Sequence, residues 1–600
     1  MHWDWRAARG ACLLLCESDH WDWRAARGAC LLLCESDLMS TLLPVLILLP
    51  LATAVVVMLL RSAGAARWLS LLGSLATLVI SLVMAAQFTS LPLASESARG
   101  PVRPRVEFRH TWMTFSWSDA KPNAASTFDS PAGSPDVGRQ VRLEFYLGQD
   151  GISLLLVVLT ALLMVSSVLV SWESIRTQAC EFYACLLVLE TGLIGAFCAF
   201  DLLLFYVFFE VTLIPLFFLI GIWGGPQRQY AAYKFFLYTL AGSVLTLVGL
   251  IALVLCVLSR NEALCTPFAI PELARQLSGQ GALPRYMQCW IFLGLSAGFV
   301  IKVPLFPFHT WLPLAHTEAP TAGSAILAGV LLKLGTYGFL RLCLPLLPDA
   351  TLTLGVPLVA TMAVIGIVYG ALCSLAQQDI KKLVAYSSVS HLGFCMLGMF
   401  ALNAEGISGS VLQMVNHGLS TGALFLLVGM VYDRYHTRMM PDLGGLASRL
   451  PRLACGMVFI CLSSVGLPGL NGFVGEVLSL IGMFKFHAVY AVIGTTGIIL
   501  GAWYLLSMLQ RSFFGPLKEP GVHGQPTADL NGRELAALLP IAALCLWIGV
   551  YPKPVLDVIR PDVQAVARIY EKQTDRPQVE PRMPDATVTA DWKVADVEKQ

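Results

Sequence analysis

The sequence is poor in charge. Only 13% of its 600 residues are Asp, Glu, Lys or Arg, while 56% are hydrophobic. Soluble globular chains carry about 25% charged residues, so a water-soluble globule is excluded. The formal net charge is +1, which excludes a nucleic-acid partner on charge grounds. There is no CxxC pair, no His/Cys cluster at metal spacing, no P-loop, no dinucleotide fingerprint and no nucleophile elbow. The 16 cysteines are not a disulfide framework. Most lie within apolar runs (Cys198, Cys256, Cys343, Cys373, Cys395, Cys461, Cys545), where cysteine behaves as a small hydrophobe. No cofactor or metal is expected in this chain, and whatever energy source drives it binds elsewhere.

What is present is a succession of apolar runs long enough to cross a bilayer. They predict an all-α polytopic membrane protein with about 14 transmembrane helices, at roughly 42–60, 67–87, 150–172, 180–199, 202–223, 233–258, 287–310, 321–344, 352–375, 380–402, 406–432, 453–484, 488–510 and 534–551. Residues 2–19 and 20–37 are the same 18 letters, HWDWRAARGACLLLCESD, repeated without drift. Folded repeats diverge, so residues 1–38 are expected to lie outside the fold, as an artefact of gene assembly, with Met39 the start. Residues 39–149 then hold the first two helices and an extramembrane loop at 88–146, residues 150–551 form the core, and 552–600 is a polar tail, disordered from 570. Lysine and arginine in the short loops divide thirteen to five if the first span starts outside, which puts both termini outside.

Two spans are interrupted. The seventh carries Pro304 and Pro307, and the twelfth carries Gly466, Pro468, Gly469 and Gly472. Discontinuous helices in matching halves mark inverted-repeat transporters. The spacing predicts two inverted five-helix repeats, spans four to eight and nine to thirteen.

Ionisable residues at membrane depth are few: Glu181, Glu190, Glu210, Lys234, Lys302, His309, Lys333, His391, His417 and Glu476. A lysine at the centre of a membrane helix costs roughly 2.5–3.5 kcal/mol, so it rarely persists without a partner or a role. One Glu–Lys pair at 4 Å contributes about 4 kcal/mol at an effective dielectric near 20. The expected partner of Lys302 is therefore Glu210. Desolvation weakens a lysine's hold on its proton and a carboxylate restores it, so moving that carboxylate would switch Lys302 between holding and releasing a proton. His391 and His417 lie between the broken spans and are candidate relays through internal water. Glu190 and Lys234 are candidate second partners or lining of a wet cavity.

These residues also carry a resemblance. FEVTLIPLFFLIGIWG (209–224), KVPLFPFHTWLPLAHTEAPTAGSAILAGVLLKLGTYG (302–338), AYSSVSHLG (385–393) and GLPGLNGFVGE (466–476) resemble the antiporter-like subunits of respiratory complex I over residues 39–555. The resemblance implies a fourteen-helix antiporter fold in the membrane arm of NADH:quinone oxidoreductase, one proton channel, and no redox centre here. NADH, FMN, iron–sulfur clusters and quinone would belong to other subunits. Partners would be neighbouring membrane-arm subunits, lipid, protons and internal water, most naturally in a bacterial inner membrane. The family's key groups map onto Glu210, Lys302, Lys333 and Glu476, with His309, His391 and His417 lining a polar axis. Glu476 looks like the subunit 4 type, since the other subunits and the Mrp-type sodium/proton antiporters usually carry lysine there. An Mrp-type subunit is the alternative, and an inert membrane scaffold a third reading.

Overall fold

The computed structural model describes residues 23–90, 102–117, 139–260, 265–278, 281–520 and 528–574. Fourteen helical crossings follow in order: α1 (Trp23–Leu59), α2 (Ala63–Phe88), α3 (Gly151–Ser174), α4 (Ala179–Cys198), α5 (Leu202–Trp223), α6 (Arg228–Leu258), α7a (Arg285–Lys302) with α7b (Leu312–Glu318), α8 (Thr321–Leu346), α9 (Pro348–Leu375), α10 (Ile380–Met399), α11 (Ala404–Tyr435), α12a (Pro451–Val465) with α12b (Asn471–Phe486), α13 (Ala488–Ser512) and α14 (Gly532–Val550). Among the described residues, 11 helices are long and apolar enough to span a membrane. The other three crossings, α7, α10 and α12, are shorter or more polar. They carry Lys302, His391 and Glu476, whereas α5, α8 and α11 keep span length and apolarity around Glu210, Lys333 and His417. The breaks fall in the fourth helix of each five-helix set, α4–α8 and α9–α13, and the two sets start on opposite sides of the membrane.

Loops assigned to one side meet one another. On the outer side Leu147 bridges Ala199 and Asp201 bridges Ala269; on the inner side Asp379 bridges Met439 and Gly444 bridges Lys518. α8 and α11 are buried throughout their most apolar stretch, whereas α1, α2 and α14 leave most of theirs uncovered by the rest of the chain. The two central helices touch backbone to backbone. A Cβ built on Gly418 would lie 2.7 Å from the Gly329 carbonyl oxygen, so the small-residue run 321–329 is a close-packing surface.

Three expectations are revised. Residues 23–38 prolong the helix of the first span, while residues 1–22 lie outside the described residues. The 88–146 loop contains an antiparallel hairpin, β1 (Val106–Trp117) with β2 (Arg139–Gln149). Its signal is the alternation of the buried Val141 and Leu143 with Arg142 and Glu144, the period of a strand with one buried face. Finally, the chain beyond Tyr551 forms α15 (Lys553–Thr574). Val555, Ile559, Val563, Val566, Ala567 and Tyr570 are its buried stripe, at the 3.6-residue helical period. The expected disorder from 570 is contradicted as far as Thr574; residues 575–600 lie outside the described residues.

Candidate functional site: a polar axis at mid-membrane

The first lysine sits at a double irregularity. α7a ends at Lys302, because Pro304 and Pro307 remove amide donors and block the helix. The Trp311 indole donates to the Ile301 carbonyl at 3.0 Å, satisfying one oxygen that the break frees. Opposite, α5 is interrupted at Thr212, whose amide bonds the Glu210 carbonyl instead of continuing the α-helical ladder. Lys302 Nζ donates to the Phe209 carbonyl at 2.9 Å and to Thr212 Oγ1 at 3.3 Å. It also lies 3.5 Å over the Phe209 ring, a cation–π contact. The expected direct pairing with Glu210 is absent: no Glu210–Lys302 ion pair exists among the described residues, and Glu210 Oε1 is buried without a hydrogen-bond partner. The carboxylate acts on the ammonium from one residue beyond its carbonyl anchor.

The second lysine is built into the core. Leu327–Leu331 forms a π-helical turn, a local widening of the kind found at functional sites. Lys333 Nζ donates to the Ala328 carbonyl five residues back at 2.6 Å and meets His417 Nδ1 at 2.6 Å. An ammonium only donates, so His417 accepts at Nδ1 and a neutral ring carries its hydrogen on Nε2. That Nε2 is buried and without a partner. The His417 and His391 ring centroids are 6.0 Å apart. His391 Nδ1 meets Glu476 Oε1 at 2.8 Å, and Tyr504 lies 3.2 Å from its Nε2. Gln413 donates to the same Glu476 oxygen at 3.0 Å. Glu476 follows the break in α12, where Gly466 and Gly469 adopt φ values of +82° and +92° that favour glycine.

The sequence-derived residues therefore divide. Lys333, His417, His391 and Glu476 form one line. Lys302 and Glu210 form a separate cluster on α5 and α7. His309 joins neither group: it is buried, stacked on Phe306 and facing Tyr369, with Nδ1 unpartnered. Lys234 is half-buried on α6 and joins neither group.

Sequence reasoning missed His316 and Lys381. His316, on α7b, is fully buried, stacked 4.4 Å from Phe425 at 9°, with neither ring nitrogen partnered. Both Lys333 and Lys381 act on it electrostatically. Lys381 Nζ donates to the Ala319 carbonyl at 2.6 Å, closing the end of α7b. It lies on the wall of an inner-side cavity of about 500 Å³ shared with Glu318, Asp379, Asp433, His436 and Arg438. An imidazole in HTEAP, five residues before α8, was the readable sign.

Fourteen crossings among the described residues, two broken helices and buried lysines seated on main-chain carbonyls at irregular turns of α5 and α8 define an antiporter-like membrane protein. The family described as "NADH:quinone oxidoreductase/Mrp antiporter, TM" matches residues 199–501. The chain is 40% identical over 540 residues to NADH-quinone oxidoreductase subunit M of Rhodobacter capsulatus, covering 89% of this chain and 97% of that one. It is 44% identical to NADH-ubiquinone oxidoreductase chain 4 of Arabidopsis thaliana, over 70% of this chain and 82% of that one. A chain of Thermus thermophilus respiratory complex I superposes with a TM-score of 0.72 at 30% identity, over 88% of this chain and 99% of that one. The Mrp complex of Dietzia superposes at 0.68 with 19% identity, over 90% of this chain and 98% of that one, a likeness of fold alone. The chain belongs to the NADH:quinone oxidoreductase/Mrp antiporter transmembrane family.

Proposed function

We propose that this chain is a proton-translocating subunit of the membrane arm of an NADH:quinone oxidoreductase, of the subunit M or chain 4 type, in a bacterial plasma membrane beside other antiporter-like subunits. The observation that carries the reading is the line Lys333–His417–His391–Glu476, in which each polar step is 2.6–2.8 Å except the 6.0 Å between imidazole centroids. A water seated between the two rings would complete the line. Protons enter from the inner cavity past Lys381 and His316, reach Lys333, and leave outward from Glu476. Lys302, set by Glu210, controls when Lys333 gives up its proton. NADH, flavin, iron–sulfur clusters and quinone belong to other subunits, and residues 150–551 are the translocating core. The Mrp-type reading rests on the shared family and on a likeness of fold at 19% identity, against 40% identity to a subunit M.

The test is Glu210→Ala and Lys302→Ala in the assembled complex, reading proton uptake by inverted membrane vesicles together with NADH:quinone reductase activity. Both should fall with assembly intact. An assembled variant that pumps at the wild-type rate would return the cluster to a scaffold role.

A further inference from the structure

At the outer end of the bundle, away from the axis, two carboxyl groups meet over one helix N-terminus. Asp150 caps α3: Oδ1 accepts the Ser153 amide at 2.8 Å, and Oδ2 forms a buried ion pair with Arg341 at 2.6 Å. Arg341 stands on α8, the Lys333 helix, between the rings of Phe200 and Tyr337. Asp562 of α15 reaches the same corner, and its Oδ2 accepts the Gly151 amide at 2.8 Å. Gly151 permits the approach, since a Cβ there would lie 2.2 Å from the Val558 carbonyl oxygen and 2.9 Å from Asp562 Oδ2. The charged groups acting on Asp562 are Asp150, Arg341 and Arg105. From the other packed elements, Glu405 of α11 is tied to Lys485, and at the end of α8 the Leu344 carbonyl accepts from Tyr570 at 2.7 Å.

We propose that α15 is a proton-sensitive latch, in which Asp562 seats the helix against α3 and the outer end of α8 as a neutral acid beside Asp150 and loosens it on ionising. Arg341 is already paired with Asp150, so a second carboxylate in this corner meets like charge and a desolvated site. Burial first, then Asp150, push the Asp562 carboxyl up to about 7, against the opposing Gly151 amide and the two arginines. In an undocked helix it titrates near about 3.9. The docked state binds the proton more tightly, so docking is strongest at low pH, weakens as pH rises from about 4 to about 7, and levels off above. Acidification of the outer side thus tightens α15 on the helix that carries Lys333.

Hydrogen exchange of residues 553–574 in the intact, membrane-embedded complex between pH 5.5 and 8.5, corrected for intrinsic exchange, tests this. Opening should rise by close to about tenfold per pH unit up to about 7 and then flatten. Asp562→Asn keeps an acceptor for the Gly151 amide and should be protected at every pH, without the slope. Gly151→Ala, which fills the contact, should exchange fast throughout. A flat wild-type profile, or the wild-type slope in Asp562→Asn, overturns the latch.

Discussion

Replacing Glu476 by glutamine separates charge from shape at the outward end of the axis. The carboxylate is 3% exposed, and its Oε1 receives both His391 Nδ1 at 2.8 Å and Gln413 Nε2 at 3.0 Å. Oε2 faces Gly466, whose built Cβ would lie 3.2 Å from it. A glutamine keeps one oxygen for both donors and turns its amide toward Gly466. Hydrogen bonds to a charged group contribute about 1.5–3 kcal/mol and neutral ones about 0.5–1.5. The exchange therefore costs about 1 kcal/mol per bond and about 2 in all, too little to unfold a bundle this deeply packed. The amide, however, takes up no proton near neutral pH, so the line stops at His391. Positioned proton-transfer groups contribute about 10²–10⁴-fold to a rate, and proton uptake by inverted vesicles should fall at least about tenfold. Glu476→Lys restores a titrating group and should keep part of the activity. An assembled Glu476→Gln complex that pumps at the wild-type rate would remove this residue from the path and refute the line as drawn.

Two further outcomes follow from the packing. His316→Phe preserves the stack on Phe425 and removes no hydrogen bond that the ring makes, so assembly should be normal while proton uptake falls; normal uptake would place the inner route elsewhere. Gly475→Ala sets a Cβ 2.4 Å from Gln413 Oε1 and 2.9 Å from Asn416 Nδ2, an overpacking cost of about 1–3 kcal/mol that should lower the yield of assembled complex on native gels and pull Gln413 off Glu476. Unchanged assembly would mean that α11 and α12 separate more easily than their contact implies.

The sequence was most legible where cost is highest. Charges at mid-membrane are expensive, so Lys302, Lys333 and Glu476 stood out against apolar flanks, and the proline and glycine breaks located the two discontinuous helices. It was least legible where a polar group looks ordinary. His316 sits in a short half-helix that hydropathy does not resolve, and Lys381 lies in a charged inner-loop motif that the count of basic residues explains without any burial. The hairpin alternates over only a few residues, and the stripe of α15 is diluted by Pro561 and its charged face. Which acid meets which base is also a matter of three dimensions. Spacing put Glu210 against Lys302, whereas the fold gives Lys302 to a carbonyl and Glu476 to a histidine.

That exchange of partners bears on how the site can switch. Lys302 rests on the Phe209 carbonyl at the interruption of α5, and Lys333 rests on the Ala328 carbonyl in the π-turn of α8. In each case an irregular backbone supplies an oxygen that a regular ladder would have used. A main-chain carbonyl accepts a hydrogen bond from an ammonium or from a neutral amine, so it fixes where the nitrogen sits without fixing its charge. A carboxylate in contact would do the opposite: it would hold the lysine charged, and breaking the pair would leave two costly ions inside the membrane. Glu210, one residue from the anchor and not in contact, can change the balance by a small movement while Lys302 stays in place. The Lys333–His417 contact has the same character, because the imidazole offers an acceptor at Nδ1 and would pass a proton on from Nε2 on the other side of the ring. Position is assigned to the irregular backbone and charge to the groups one step away, a division that would let a buried lysine exchange its proton without moving.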